Sequence, residues 1–364
     1  MRLTEEQEEL RSAVRSLLTR HEGAAAWRPL AEQVGVAALA VPEEYGGAGG
    51  GARDVHVVME ELGRCLSPLP VLGSAVLTAG ALLASGDKEA CGRLLPTLAE
   101  GRSVGALAWA EQGSWDPAAV RTRAVPGPGG GAWFLSGVKE HVLDWPDVDV
   151  LVVAARTAAG VSLFEVAADA PGARRAPVVT MDGTRSQARW VLDGAEGRPV
   201  GVAGDGERVL AHVRDLACAA LAAEQVGAAE RCLELTVAHA RDRVQFGRAI
   251  GSFQAVKHRL ADAYVLVESA RSAALGAAFA ADEDPGALPR AAAVAKSVCS
   301  EAFSAVAGET IQLHGGIGIT WEHDAHRYFK RAHGAGELFG PPASHRARLA
   351  AGLGLTSHTS YTSY

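Results

Sequence analysis

The hydrophobic period of this chain changes twice, and few folds accommodate both changes. Through about residue 100 apolar residues recur every three or four positions. Leu10, Val14, Leu17 and Leu18 share one face, and Val55, Val58, Met59 and Leu62 share another. From Val104 the pattern becomes that of short strands separated by turn residues. From about residue 206 the helical spacing returns and holds to about 352. The order helix, strand, helix predicts an α+β, mostly α chain. Its parts are an N-terminal helical domain (1–103), a central β-barrel or sandwich domain (104–200), a C-terminal four-helix bundle (201–354) and a polar, disordered tail (355–364).

Local signals place the elements. Thr4 is an N-cap for a helix over 4–20, a second helix runs from Pro29 to Ala40, and others follow at 53–66, 73–85 and 87–100. Strands are predicted at 104–110, 119–124, 133–142, 148–155, 161–166 and 185–192, and residues 201–206 lead out of them. Helices are predicted over 206–242, 253–281, 287–313, 322–332 and 337–352, with Pro285 punctuating the set.

Composition removes several function classes. A net charge of −7, a pI near 6.0 and the lack of a basic run argue against nucleic-acid binding. Apolar stretches such as 217–223 are too short to cross a membrane. The five cysteines show no CxxC and no Cys/His spacing for a metal, so reduced structural thiols are expected. His323 and His326 lie in a stretch that suits a capped, ion-paired helix start better than a metal site. The N-terminus is polar and helical in pattern, without a visible signal peptide, and the expected setting is cytoplasmic.

Two interruptions of the long helical patterns carry chemistry. The first reads Arg243-Val244-Gln245-Phe246-Gly247, followed by Ser252-Phe253-Gln254; the second reads Gln312-Leu313-His314-Gly315-Gly316-Ile317-Gly318. Arginine offers a planar, permanently charged fork for a phosphate, and glycine admits close backbone approach. With Val41-Pro42-Glu43-Glu44-Tyr45-Gly46-Gly47 near the start, these motifs stand in the order seen in the acyl-CoA dehydrogenase family, which the chain resembles over residues 1 to about 350.

The resemblance implies FAD between the β domain and the bundle, with its pyrophosphate and adenine end gripped by a neighbouring subunit. Carried over, Arg243 faces the pyrophosphate, Phe246 packs on the cofactor, Gln254 stands beside them, and Gln312, Gly315 and Gly316 line the adenosine end. It also implies an acyl-CoA substrate, an electron-transfer acceptor, and assembly as a dimer or tetramer or with a homologous partner subunit.

At the flavin ring the chain departs from the family's pattern. Ala110 stands where the family has threonine, His141 where it has tryptophan and Leu143 where it has a second threonine, although Glu111, Ser114 and Asp116 keep part of the polar pattern. α,β-Dehydrogenation of a thioester also needs a base for the α-proton. The family's two glutamate positions fall here on Phe339, before Gly340, and on Ala217, in the helix before Arg243. Glu337 becomes the base if the loop before it shifts register by two residues; Asp215 and Glu224 are the nearest helical acids. The expected function is FAD-dependent acyl-CoA dehydrogenation, alone or in a complex. The alternatives are a non-catalytic FAD-holding partner subunit and a flavin-dependent oxygenase of the same fold.

Overall fold

The computed structural model describes residues 2–129, 131–143 and 148–355. Helix α1 (Glu5–Arg20) starts with a reciprocal cap: Gln7 N donates to the Thr4 hydroxyl at 3.3 Å, and Thr4 N to the Gln7 side chain at 3.1 Å. α2 (Trp27–Gln33) differs from the helix expected over 29–40. Proline is tolerated in its first turn, and the left-handed Gly35 (φ 73°) prevents its extension toward residue 40. α3 (Ala52–Arg64) follows, then a π-helical stretch (Val71–Thr78) runs directly into α4 (Ala79–Ser85), and α5 (Lys88–Ala99) closes the helical unit.

The strands are β1 (Gly105–Ala108), β2 (Arg123–Pro126), β3 (Trp133–Leu143), β4 (Val150–Thr157), β5 (Gly160–Ala167), β6 (Ala173–Pro177) and β7 (Gln187–Val200). β4 pairs with β5, β5 with β7, β7 with β3 and β3 with β2, all antiparallel; β2 returns to β4 through Arg123 and Arg156. That circuit closes the sheet into a small barrel. β1 lies parallel on β4, and β6 adds to β7. The expected strand at 119–124 begins only at Arg123, because Pro117–Ala119 forms a 3₁₀ turn. β6, with adjacent Arg174 and Arg175, carries no apolar alternation to announce it. On β4 the period of two sorts the side chains: Leu151, Val153 and Ala155 enter the barrel cluster, while Val152 and Ala154 join the helical core.

The C-terminal part is built on α6 (Gly206–Asp242), α7 (Gln254–Glu283) and α8 (Leu288–His314). α9 (Ala325–Glu337) and α10 (Pro342–Gly352) both pack on α8, separated by Leu338–Pro341, so two shorter helices occupy the bundle's fourth position. Between α6 and α7 lies the two-stranded hairpin β8 (Val244–Gln245) and β9 (Arg248–Ala249). Apart from Leu355, the tail expected over 355–364 lies outside the described residues.

Two features lock the parts together. Where α3 crosses α6, a Cβ on Gly63 would stand 2.0 Å from the Glu224 carbonyl oxygen, and one on Gly227 1.8 Å from that of Glu60. Only glycine permits that reciprocal approach of two backbones. Nearby, the fully buried Arg331 of α9 pairs with Glu224 of α6 at 2.8 Å and with Asp182 in the loop before β7 at 2.8 Å, and donates to the Thr184 carbonyl at 3.0 Å. Arg185 also pairs with Glu224. Burial of these charges is offset by mutual pairing and hydrogen bonding.

Candidate active site

The chain leaves β1 through Trp109, Ala110 and Glu111. Glu111 binds the buried Lys139 of β3 and accepts from Arg121 N (2.8 Å) and Thr122 N (3.0 Å). Burial pulls the Lys139 ammonium down to about 8 against the opposing pull of Glu111. The Glu111 carboxyl lies below its usual range, with Lys139 and the Thr122 donors outweighing burial. Glu111 therefore ties the strand exit to β3, and its oxygens are committed within the barrel.

That tie places Ala110 beside an aromatic group. Trp109 stacks on Phe339 (ring centroids 5.9 Å, planes 6° apart), and Trp115 meets both edge-on at 5.1 Å. Trp115 also stacks on His141 at 5.7 Å, while His141 Nδ1 is 2.9 Å from the Gln187 side-chain oxygen. The expected ring-facing positions Ala110 and Leu143 are buried and carry no hydroxyl. These contacts give His141 an aromatic face and a β7 partner.

The two family positions for a base are both apolar and buried: Phe339 within the aromatic group, and Ala217 in the same core. Phe339 holds a left-handed backbone (φ 60°), unusual for a bulky residue. His345 of α10 supports it, with Nε2 3.1 Å from the Phe339 carbonyl. Burial and the nearby Lys296, Arg348 and Arg214 push His345 down to about 4, so the ring is neutral near pH 7 and donates to that carbonyl. Glu337, two residues earlier, is exposed at the end of α9. Asp215 is buried and pairs with Arg348 at 2.7 Å; Glu224 is consumed by the Arg331 network. Burial raises the Asp215 carboxyl above its usual range despite Arg348.

The other expected contacts lie on the surface. Phe246 (φ 52°) and Gly247 (φ 76°) form the tip of the β8–β9 hairpin, and the Phe246 side chain is 91% exposed. Both tip residues have positive φ, as a two-residue hairpin requires. Arg243, Gln254, Gln312, Gly315 and Gly316 are exposed as well. Arg248 lies over the Phe253 ring at 3.9 Å and steadies the hairpin base. The second motif ends α8 at Gly315 (φ 65°) and continues as a 3₁₀ turn to Ile319. Ile319 and Trp321 beside it are 71% and 84% exposed. Phe246, Ile319 and Trp321 are thus large apolar side chains left at the surface. At the following helix start, Ala325 N donates to His323 Nδ1 at 3.1 Å and Arg327 pairs with Asp324 at 2.9 Å. Among the described residues no group of three or more His, Cys, Asp or Glu could hold a metal ion.

Sequence reasoning missed the packing of Trp109, Trp115 and Phe339, and the roles of Arg331 and His345. The available signal was the replacement of a charged position by phenylalanine before a glycine, which demands apolar neighbours.

Comparison with known proteins matches residues 4–102 to the acyl-CoA dehydrogenase N-terminal domain and residues 204–354 to the acyl-CoA dehydrogenase C-terminal domain. Acyl-CoA dehydrogenase IpdE2 of Mycobacterium tuberculosis (strain ATCC 25618 / H37Rv) is 42% identical, over 95% of this chain and 96% of that protein. Among solved structures, a variant of the Tcur3481-Tcur3483 steroid ACAD superposes with a TM-score of 0.87 at 34% identity, covering 96% of this chain and 98% of that one. The ChsE4-ChsE5 complex from Mycobacterium tuberculosis gives 0.87 at 31% identity, covering 98% and 99%.

Proposed function

The chain belongs to the acyl-CoA dehydrogenase family of FAD-dependent oxidoreductases acting on CH–CH groups, and from that premise we propose that it works in a complex with a homologous, base-bearing subunit. In this reading it holds the nucleotide end of FAD, while the partner supplies the ring site and the proton acceptor. The observation that carries it is Phe339, packed against Trp109 and Trp115 where a base would have to reach substrate.

The donor set fits one end of the cofactor. Arg243 supplies a two-point contact to a pyrophosphate, and Phe246 supplies an aromatic face. Gln254 and Gln312 supply amides, and Gly315 and Gly316 open backbone to an adenosine. All are exposed, so the site they build is completed from outside the chain. The ring end fits poorly: Ala110 and Leu143 offer no side-chain donor, and the aromatic group fills the space beside them. When bound, FAD would supply the hydride acceptor for the β-carbon of an acyl-CoA thioester. The residues of this chain orient the nucleotide and exclude water at the contact. Two of the superposing structures are described by paired names, Tcur3481-Tcur3483 and ChsE4-ChsE5, which supports pairing here.

The alternative, in which Glu337 is the base of a self-sufficient enzyme, requires an exposed side chain to replace a buried ring. The test compares this chain alone with the chain co-purified with a base-bearing homologue. Loss of a positioned base costs about 10²–10⁴-fold in rate. The chain alone, supplied with FAD, is therefore expected to oxidise acyl-CoA at least about 10²-fold more slowly than the complex. The complex should contain one FAD per pair of chains. Full turnover by the single species, with one FAD per chain, overturns the reading.

A further inference from the structure

A cavity of about 390 Å³ lies between α3, α4, α6 and α7, and none of Trp109, Trp115, His141 and Phe339 is among its lining residues. On α6, Asp215 and Cys218 face α10 through Arg348 and His345. His212, Leu216, Ala219 and Ala220 line the cavity instead. The exposed lining residues Ala40, Gly50 and His212 mark its mouth; Val76, Ala219, Ala220 and Ala278 are buried at its floor.

Two independent observations show a void that packing does not require. Gly80, near the start of α4, lines it, and a Cβ there would meet nothing closer than Leu216 Cδ1 at 3.8 Å. Glycine inside a helix is destabilising by about 1 kcal/mol relative to alanine, and close contact does not explain it here. His56 of α3 also lines the cavity, is 2% exposed, and has no hydrogen-bond partner at either ring nitrogen. Glu60 Oε2 stands 3.8 Å from Nε2 and is engaged by Arg11, while the other oxygen of that carboxylate is held by Arg271. Burial holds this ring neutral, so it presents one donor and one acceptor.

We propose that this cavity binds an aliphatic alcohol, its chain along α4 and α6 and its hydroxyl on His56. From His212 to Ala220 the slot runs about 12 Å at the helical rise. Its volume takes on the order of 20 non-hydrogen atoms at interior packing density. A hydroxyl donates to the bare nitrogen of a neutral imidazole, the one function that an ether cannot serve. An anionic head group gains no charge partner from the neutral His56 ring, and the arginines nearby are already held, Arg11 and Arg271 by Glu60 and Arg53 by Asp282. The proposal is independent of the subunit pairing argued above.

Titration calorimetry of the full chain with 1-decanol tests it, with methyl decyl ether and decanoate as controls. Decanol should bind saturably, the ether about tenfold more weakly for want of a donor, and decanoate more weakly still. Gly80→Leu should abolish decanol binding without lowering the melting temperature; Ala219→Val serves the same purpose if that variant misfolds. His56→Phe should make decanol and its ether equivalent. No saturable binding by the wild type, undiminished binding in a folded cavity-filled variant, or preference for decanoate overturns the proposal.

Discussion

The two ends of the expected cofactor site are built on opposite principles. At the ring end, Trp109, Trp115 and Phe339 touch one another, and Glu111 and His345 spend their hydrogen bonds on holding backbone. At the nucleotide end, Arg243, Phe246, Gln312 and the glycines after His314 project from a hairpin and a helix terminus onto the surface. In the reading proposed above, the exposed residues serve a neighbour, while the ring end of this chain is packed as core. A motif can persist without the chemistry it accompanies when the two are served by different copies of a fold.

If that contrast is right, mutations at the two ends separate stability from flavin retention. Phe339→Ala removes a buried ring from between two tryptophans and should cost about 3–5 kcal/mol in denaturant unfolding, with flavin content of the surviving complex unchanged. A loss of flavin with intact stability would place Phe339 in a working ring site. Arg243→Ala should do the reverse. A charge-assisted bond of about 1.5–3 kcal/mol corresponds to roughly 10- to 100-fold weaker FAD retention, read by flavin absorbance after dialysis, while Tm stays within about a degree. Arg243→Lys should restore only part of it, since an ammonium lacks the two-point geometry.

Acid should act on the packed parts first. His345 and His56 both titrate near 4 in the folded chain, against 6.5 when unfolded. Between those values the unfolded chain binds more protons, so stability falls as pH drops from 6.5 toward 4 and is level above 6.5 with respect to these groups. The slope approaches about 1.4 kcal/mol per pH unit for each histidine. His345→Gln, measured by urea unfolding across that range, should reduce the slope by up to about 1.4 kcal/mol per pH unit, its own share; an unaltered slope removes His345 from the account. The smallest effect is expected at Glu337→Gln, which should leave turnover of the complex unchanged within about twofold, as for an exposed surface residue. A hundredfold loss with normal flavin content would make Glu337 the base.

Much of the architecture was legible because period is a local signal. The helices at 206–242 and 287–313 were recoverable almost to the residue, since their interiors hold neither proline nor a strand pattern. Elements whose form depends on partners were not. β6 exists because Ala173–Pro177 found the edge of β7, and nothing in Arg174-Arg175 foretells it. The candidate site divides the same way. The exposed motifs could be read as words, because their residues are consecutive. The aromatic group joins positions 109, 115, 141 and 339, and proximity of that kind is made only by the fold. Glu224 illustrates the limit: as a helix residue it suggests a polar surface, whereas Arg331, 107 positions later, makes it an interior ion pair.

The glycine crossing of α3 and α6 bears on the order in which the protein can be made. Gly63 and Gly227 meet only after the intervening barrel has emerged from the ribosome, yet Glu60 and Glu61 on α3 are buried in the finished molecule. Glu60 finds one of its arginines on α7, later still. The N-terminal helices therefore cannot reach their final packing during early synthesis. A fragment ending after the barrel would leave Glu60 without Arg271 and a groove cut to receive a missing helix, so the natural unit for truncation, fusion or exchange between relatives is the whole helix–barrel–helix body.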